Sequence, residues 1–227
     1  MPPTADVPAL MRKHIYDHFL EHAVPPVVEQ LMLAFSLSRE ETENVLRELE
    51  AARQLVLVKG TARILMAWPF SAIATPFRVE VGGRRYFANC AWDAVAFHAM
   101  TGQPIRIDSS CHHCAAPITI ELRDGRAVSV EPAEALVYLA IPAARWWDDI
   151  ILTCSNTMVF FASEAHRDAS ALCSADGGGA SLTPEQTHVL SGPVYGPRME
   201  LGYTRPPRQE LLDHFASMGL TGDFWAL

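Results

Sequence analysis

Apolar residues at Leu10, Ile15, Phe19 and Leu20 recur with a roughly helical spacing and predict a helix over Pro8 to His22. Pro25-Pro26 interrupts the pattern and can open a second helix, Val27 to Phe35. Ser38-Arg39-Glu40-Glu41 reads as a capping box before a third helix, with Val45, Leu46 and Leu49 on one face. The run LVLVKGTARILMAW, 55–68, then splits into two extended pieces around Lys59-Gly60 and predicts a hairpin. Pro69 and Pro76 bracket a linker. After it, RVEVGGRRYF alternates about Gly82-Gly83, a second hairpin signal. A helix is expected over 90–100, ending at Gly102. The short runs PIRID, PITIEL, AVSVEP and ALVYLAIP follow as strands, with a turn at Asp124-Gly125. Another helix is expected after Ser163 and a last one over Leu211 to Met218. Between them SADGGGASLT, 174–183, reads as a mobile loop.

This order predicts an α+β fold. A winged-helix-like three-helix module, residues 1–68, precedes a mainly antiparallel sheet domain with flanking helices. The α+β core is expected at 77–170, and a loop with a C-terminal helical extension at 171–227. The chain has 227 residues, 49% hydrophobic and 19% charged, which is enough apolar material for a packed core.

Charge narrows the function classes. A net charge of -8 argues against a general nucleic-acid binder, because neutralising phosphates needs a basic surface. The third helix region, Arg39 to Arg53, holds five glutamates against three arginines, so a DNA-reading role for the winged-helix-like module is disfavoured. No apolar run approaches the roughly 20 residues of a membrane span, and the first residues lack a charged-then-apolar leader pattern. A soluble, cytoplasmic protein with no membrane partner is expected. The five cysteines are Cys90, Cys111, Cys114, Cys154 and Cys173. An odd number without a leader is a poor disulfide framework, which leaves free thiols or metal ligands.

Two stretches carry candidate chemistry. In ANCAWDAVAF, 88–97, Asn89 is the expected N-cap, which places Cys90 in the first helical turn. Backbone N–H groups there favour a thiolate, so a lowered thiol pKa is expected. Asp93 falls on the same face, where it could accept and return a proton. The plainer reading is a buried small cysteine beside an aspartate that complements the helix dipole. Cys154 closes an apolar run ahead of Phe160-Phe161. Two thiols and a carboxylate together suit a soft, thiophilic metal.

The segment from Arg84 to Ser163 resembles the organomercurial (alkylmercury) lyases. The matching residues are Cys90-Ala91-Trp92-Asp93, Arg106 to Cys111, Ala116-Pro117, Val130-Glu131-Pro132, and Cys154 through Phe160-Phe161-Ala162-Ser163, in the family's order. The N-terminal module also fits. The resemblance implies cleavage of a carbon–mercury bond by protonolysis without an organic cofactor. It assigns mercury binding to Cys90 and Cys154 and the proton relay to Asp93. The products would be a hydrocarbon and Hg(II), the ion passing to cytosolic thiols or a mercuric reductase.

Two departures stand out. Cys154 lies one residue farther from the aromatic pair than the family's second cysteine, and Ser155 follows it in place of another cysteine. Cys111 matches the family's third, structural cysteine, whereas His112, His113 and Cys114 are additional. A CxxC is half of a zinc site, and Cys173 or His166 could supply a further ligand. Otherwise the segment is a strand-to-strand turn with its histidines outside. A non-enzymatic metal- or mercury-binding relative using Cys111 and Cys114, and less readily a winged-helix regulator, are the alternatives to a lyase.

Overall fold

The computed structural model describes residues 6–173 and 178–227. Helix α1, Val7–His22, opens where the Asp6 carboxylate accepts the Ala9 N–H. Helices α2, Val28–Phe35, and α3, Arg39–Ala51, follow. The expected capping box starts α3. Ser38 Oγ accepts the Glu41 N–H at 3.3 Å, and the Glu41 carboxylate accepts the Ser38 N–H at 2.8 Å. Two orphan donors of the first turn are thereby satisfied. Strands β1 (Val56–Leu57), β2 (Ile64–Ala67) and β3 (Phe70–Ser71) form a small antiparallel sheet in that order. The helical module packs on the rest of the molecule through aromatic contacts: Phe19 stacks on Phe70, centroids 4.9 Å apart, and Phe70 meets Phe97 edge-on at 5.1 Å.

Strands β4 (Arg78–Val81) and β5 (Arg84–Phe87) make the second hairpin. Gly82 and Gly83 both have positive φ, 57° and 78°, as the tight hairpin turn requires. Helix α4, Ala91–Thr101, ends at Gly102 in the left-handed conformation. Strands β6 (Ile105–Ser110), β7 (Pro117–Arg123) and β8 (Arg126–Glu131) complete a five-stranded antiparallel sheet in the order β5-β4-β6-β7-β8. Strand β9 is Leu136–Leu139. A short helix α5, Ile150–Leu152, runs into a π-helical turn, Thr153–Thr157, and then into β10, Met158–Phe161. Helix α6 is Glu164–Asp168.

The glycine-rich segment is not loop throughout. Residues 174–177 lie outside the described residues, but Ala180–Leu182 form a strand, β11, paired antiparallel with β9. The order is β10-β9-β11, and Leu182 supplies the buried side chain that holds β11 in place. A helix that hydrophobic spacing did not suggest follows: α7, Pro184–Tyr195. Its signal was local. Thr183 is the N-cap, Pro184 takes the first helical position, and Gln186 closes a capping box. Helix α8 is Arg208–Ser217. The result is the expected α+β architecture with antiparallel sheets and flanking helices.

Helix α4 is the central element. Every residue from Ala91 to His98 is buried, and so is Met100. Such a helix has no solvent face, and it packs against α7 and both larger sheets. Its N-terminus therefore opens inside the protein, with its polar groups supplied from within. Among the described residues, no helix is long and apolar enough to cross a membrane.

Candidate active site

Cys90 itself, not Asn89, is the N-cap of α4. Its backbone is extended, φ −152° and ψ 177°, and its Sγ accepts the Asp93 N–H at 3.2 Å. Asn89 is freed for another task. Its buried amide nitrogen lies 3.1 Å from each of three acceptors: the Pro69 and Phe70 carbonyls and Asp93 Oδ2. The residue expected to cap the helix thus ties the segment entering β3 to the Asp93 carboxylate.

Cys154 reaches Cys90 from the π-helical turn, Thr153–Thr157. A π turn spends one more residue per turn than an α-helix and commonly marks a functional site. The turn runs directly into β10, which pairs in register with β9, Phe160 opposite Val137. Thr157 Oγ1 donates to the Thr153 carbonyl at 2.7 Å and steadies the widened turn.

The ligand atoms of Cys90, Asp93 and Cys154 all lie within 4.8 Å of one another. The three residues are 1%, 0% and 3% exposed. Burial reverses the expectation for the Cys90 thiol. Its pKa is pushed well above the ordinary value, first by loss of solvent and then by the Cys154 thiol and the charge of Asp93. The Asp93 N–H pulls the other way and does not prevail.

Burial also raises the Asp93 carboxyl from 3.8 to about 6. Hydrogen bonds from Tyr195 and Asn89, the contact with Cys90, and the positive charge of Arg198 oppose that rise. The Tyr195 hydroxyl donates to Asp93 Oδ1 at 2.6 Å. Burial keeps this phenol protonated, so it remains a donor. Arg198 is buried, and burial alone would disfavour its charge. Tyr16, Tyr203 and Tyr195 more than offset that. Its guanidinium donates to Tyr16 Oη at 2.9 Å and lies over the rings of Trp68, Tyr195 and Tyr203. Tyr195 and Arg198 are functional candidates that sequence reasoning missed. The capping box of α7 could have located the helix, but nothing in the sequence says that its last residue faces Asp93.

The cluster opens into a cavity of about 490 Å³ whose lining includes Cys90, Cys154, Trp68, Trp92 and Met158. Arg53 and Arg205 also line it, each guanidinium carbon 4.6 Å from the Trp147 ring centroid. Two soft sulfur donors, a carboxyl poised near neutrality and the aromatic and apolar side chains of the lining suit a thiophilic, carbon-bearing ligand and the movement of one proton.

The other singled-out cysteines lie elsewhere. Cys111 and Cys114 gather with His166 in a second cluster. Cys173 instead stands beside the Tyr138 hydroxyl.

Comparison with known proteins shows the family of the chain. A family model described as alkylmercury lyase matches residues 70–196. An alkylmercury lyase of Bacillus cereus is 30% identical over 166 residues, 71% of this chain and 69% of that protein. One from Staphylococcus epidermidis is 28% identical over 148 residues, 63% of this chain. The match spans 64% of that relative's length. Among solved structures, the mercury-bound form of MerB2 superposes with a TM-score of 0.67 at 18% identity, covering 86% of this chain and 90% of the other, a likeness of fold. The matched family segment contains Cys90, Asp93, Cys154 and Tyr195 together, and on these grounds the chain belongs to the alkylmercury lyase family.

Proposed function

We propose that this protein cleaves carbon–mercury bonds in organomercurials by protonolysis, releasing a hydrocarbon and Hg(II). The observation that carries the proposal is the enclosure of two thiols and one carboxyl within 4.8 Å of one another, with both cysteines lining a cavity. Family membership supports it.

The chemistry follows from the donor set. An organomercurial R–Hg–X exchanges X for one of the two thiols; the sulfur–hydrogen bond breaks, a sulfur–mercury bond forms, and HX leaves. The second thiol passes its proton to Asp93 and binds mercury as a thiolate. Two sulfur donors push electron density onto mercury and make the bound carbon more basic. The Asp93 carboxylic acid delivers its proton to that carbon, the carbon–mercury bond breaks, and R–H departs. The net change is R–Hg–S–Cys plus Cys–SH giving R–H plus Cys–S–Hg–S–Cys, with no redox change.

The perturbed pKa values fit these roles. Cys90 stays a neutral thiol until mercury replaces its proton, so a free thiolate need not be held in an apolar site. An acid at about 6 both accepts and returns a proton near neutrality, where general acid–base catalysis is most effective. Tyr195 and Asn89 hold the carboxyl in place for both transfers.

Hg(II) would leave to an acceptor such as cytosolic thiols or a mercuric reductase, in keeping with a cytoplasmic detoxification role. The deciding experiment is incubation of the purified protein with phenylmercury and excess thiol, followed by assay for benzene. Benzene release at a rate proportional to enzyme supports the proposal. Stoichiometric phenylmercury capture without benzene would instead show a mercury-binding relative.

A further inference from the structure

We propose that Cys111, Cys114 and His166 form a tetrahedral zinc site that ties the β6–β7 turn to helix α6. The site is separate from the mercury-binding cluster and does not depend on the reaction proposed above.

The geometry is that of metal ligands. His166 Nδ1 lies 3.6 Å from Cys111 Sγ and 3.5 Å from Cys114 Sγ. Zinc bonds of about 2.3 Å to sulfur and about 2.0–2.1 Å to nitrogen, at tetrahedral angles, place the two ligand atoms about 3.6 Å apart. Both sulfur–nitrogen edges match that separation. A neutral imidazole nitrogen has one in-plane lone pair and cannot serve two thiol donors equally well. A cation at the common centre satisfies all three atoms.

The backbone is also prepared for a metal-bound thiolate. The Ala162 N–H points at Cys111 Sγ at 3.4 Å, from the segment that leads into α6. The N–H groups of Cys114 and His113 also favour the Cys111 thiolate. The CxxC turn closes with the Ala115 N–H on the Cys111 carbonyl at 2.9 Å, and Ala115 takes a positive φ of 59°. A non-glycine residue held in that region is strained unless its surroundings require it. Here the strained residue follows the second cysteine and turns the chain back, so that the Cys111 N–H meets the Ala116 carbonyl at 2.8 Å.

Cys114 is exposed, so a water molecule can supply the fourth donor, and the His113 ring is 5.6 Å from that of His166. Three protein donors with nitrogen and sulfur atoms suit zinc, whereas magnesium and calcium take oxygen. The clip would join segments about 50 residues apart in the chain. It fixes the far end of β10, whose near end follows the turn that carries Cys154.

The test is metal analysis of the full-length protein, purified under reducing conditions without mercury and refilled with zinc. The wild type and Cys154→Ser are expected to hold about one zinc per chain. Cys114→Ser and His166→Gln, both at accessible positions, are expected to lose at least ten-fold in zinc affinity and to melt several degrees lower than zinc-loaded wild type. Cobalt in place of zinc should give a thiolate-to-metal charge-transfer band that Cys114→Ser weakens and Cys154→Ser preserves. A wild type that takes up no stoichiometric zinc while its thiols are reduced overturns the proposal, since the cluster is then a thiol–imidazole contact alone. Zinc lost in Cys154→Ser but kept in Cys114→Ser also overturns it, by assigning the metal to the other cluster.

Discussion

The Tyr195 hydroxyl donates to Asp93 Oδ1 at 2.6 Å and so joins the last residue of α7 to the first turn of α4. Tyr195→Phe keeps the ring packing and removes that donor. A hydrogen bond to a charged group contributes about 1.5–3 kcal/mol, and at about 1.4 kcal/mol per pH unit its loss raises the Asp93 pKa by roughly one to two units. The pH profile of hydrocarbon release should shift upward by about that amount. An unchanged profile in a folded Tyr195→Phe variant would remove Tyr195 from the proton relay.

Asp93→Asn should still capture an organomercurial through its thiols but fail to release hydrocarbon. An amide offers no comparable acid, and loss of a general acid typically costs about 100- to 10,000-fold. Mass spectrometry should show protein plus mercury plus the organic group, with no hydrocarbon in the headspace. Normal hydrocarbon release would leave Asp93 as a helix-terminal charge and nothing more.

The same substitution makes a stability prediction. The folded-state pKa of Asp93 lies at about 6, above its ordinary 3.8, so the folded protein binds the proton more tightly than the unfolded chain. Stability contributed by the protonated carboxyl is fully present below about 4 and is lost as the pH rises to about 6. The rise corresponds to about 3 kcal/mol as an order of magnitude. Melting curves should show the wild type losing stability relative to Asp93→Asn across that window. A difference that does not change with pH would mean that the carboxyl is not destabilised by burial.

Cys90→Ser and Cys154→Ser should each abolish cleavage while the fold survives, because one remaining sulfur cannot provide the second soft donor. Benzene release from phenylmercury, with circular dichroism as the fold control, measures both. Full activity in Cys154→Ser would show that the π turn does not present this thiol to mercury. Cys173→Ser, placed beside Tyr138 and away from the cluster, should change cleavage by less than about two-fold, within the small range of substitutions remote from such features.

The N-terminal helices should not bind DNA specifically. In α3, Arg39 pairs with Glu29 and Glu43, and Arg47 pairs with Glu43, so cations that would meet phosphates already face carboxylates. Selection from random duplexes at physiological salt should recover no enriched sequence. A sequence bound with sub-micromolar affinity would contradict this.

Much of the local structure could be read from the chain. The Ser38–Glu41 capping box, the Gly82-Gly83 hairpin and the Gly102 helix stop depend on neighbours a few residues apart, and each formed where expected. Cys90 and Asp93 were legible as a pair because a residue at the entry of a helix meets the third helical residue whatever the rest of the chain does. What could not be read was their environment. The expectation of a lowered Cys90 pKa counted the helix terminus and not the desolvation, which depends on α7, β9 and β10 closing over α4.

The same reason explains the remaining misses. Tyr195 is 102 residues from Asp93, Arg198 is 182 from Tyr16, and His166 is 52 from Cys114. No local pattern encodes such pairings. Periodicity reports which face of an element is apolar, not which element will cover it. Sequence alone therefore determined most of the elements, though not α7 or β11, together with the acidic character of α3 and the inventory of thiols. The tertiary structure decided which thiols lie together and how far the Asp93 carboxyl is removed from water, because burial and long-range hydrogen bonds exist only once the elements have packed.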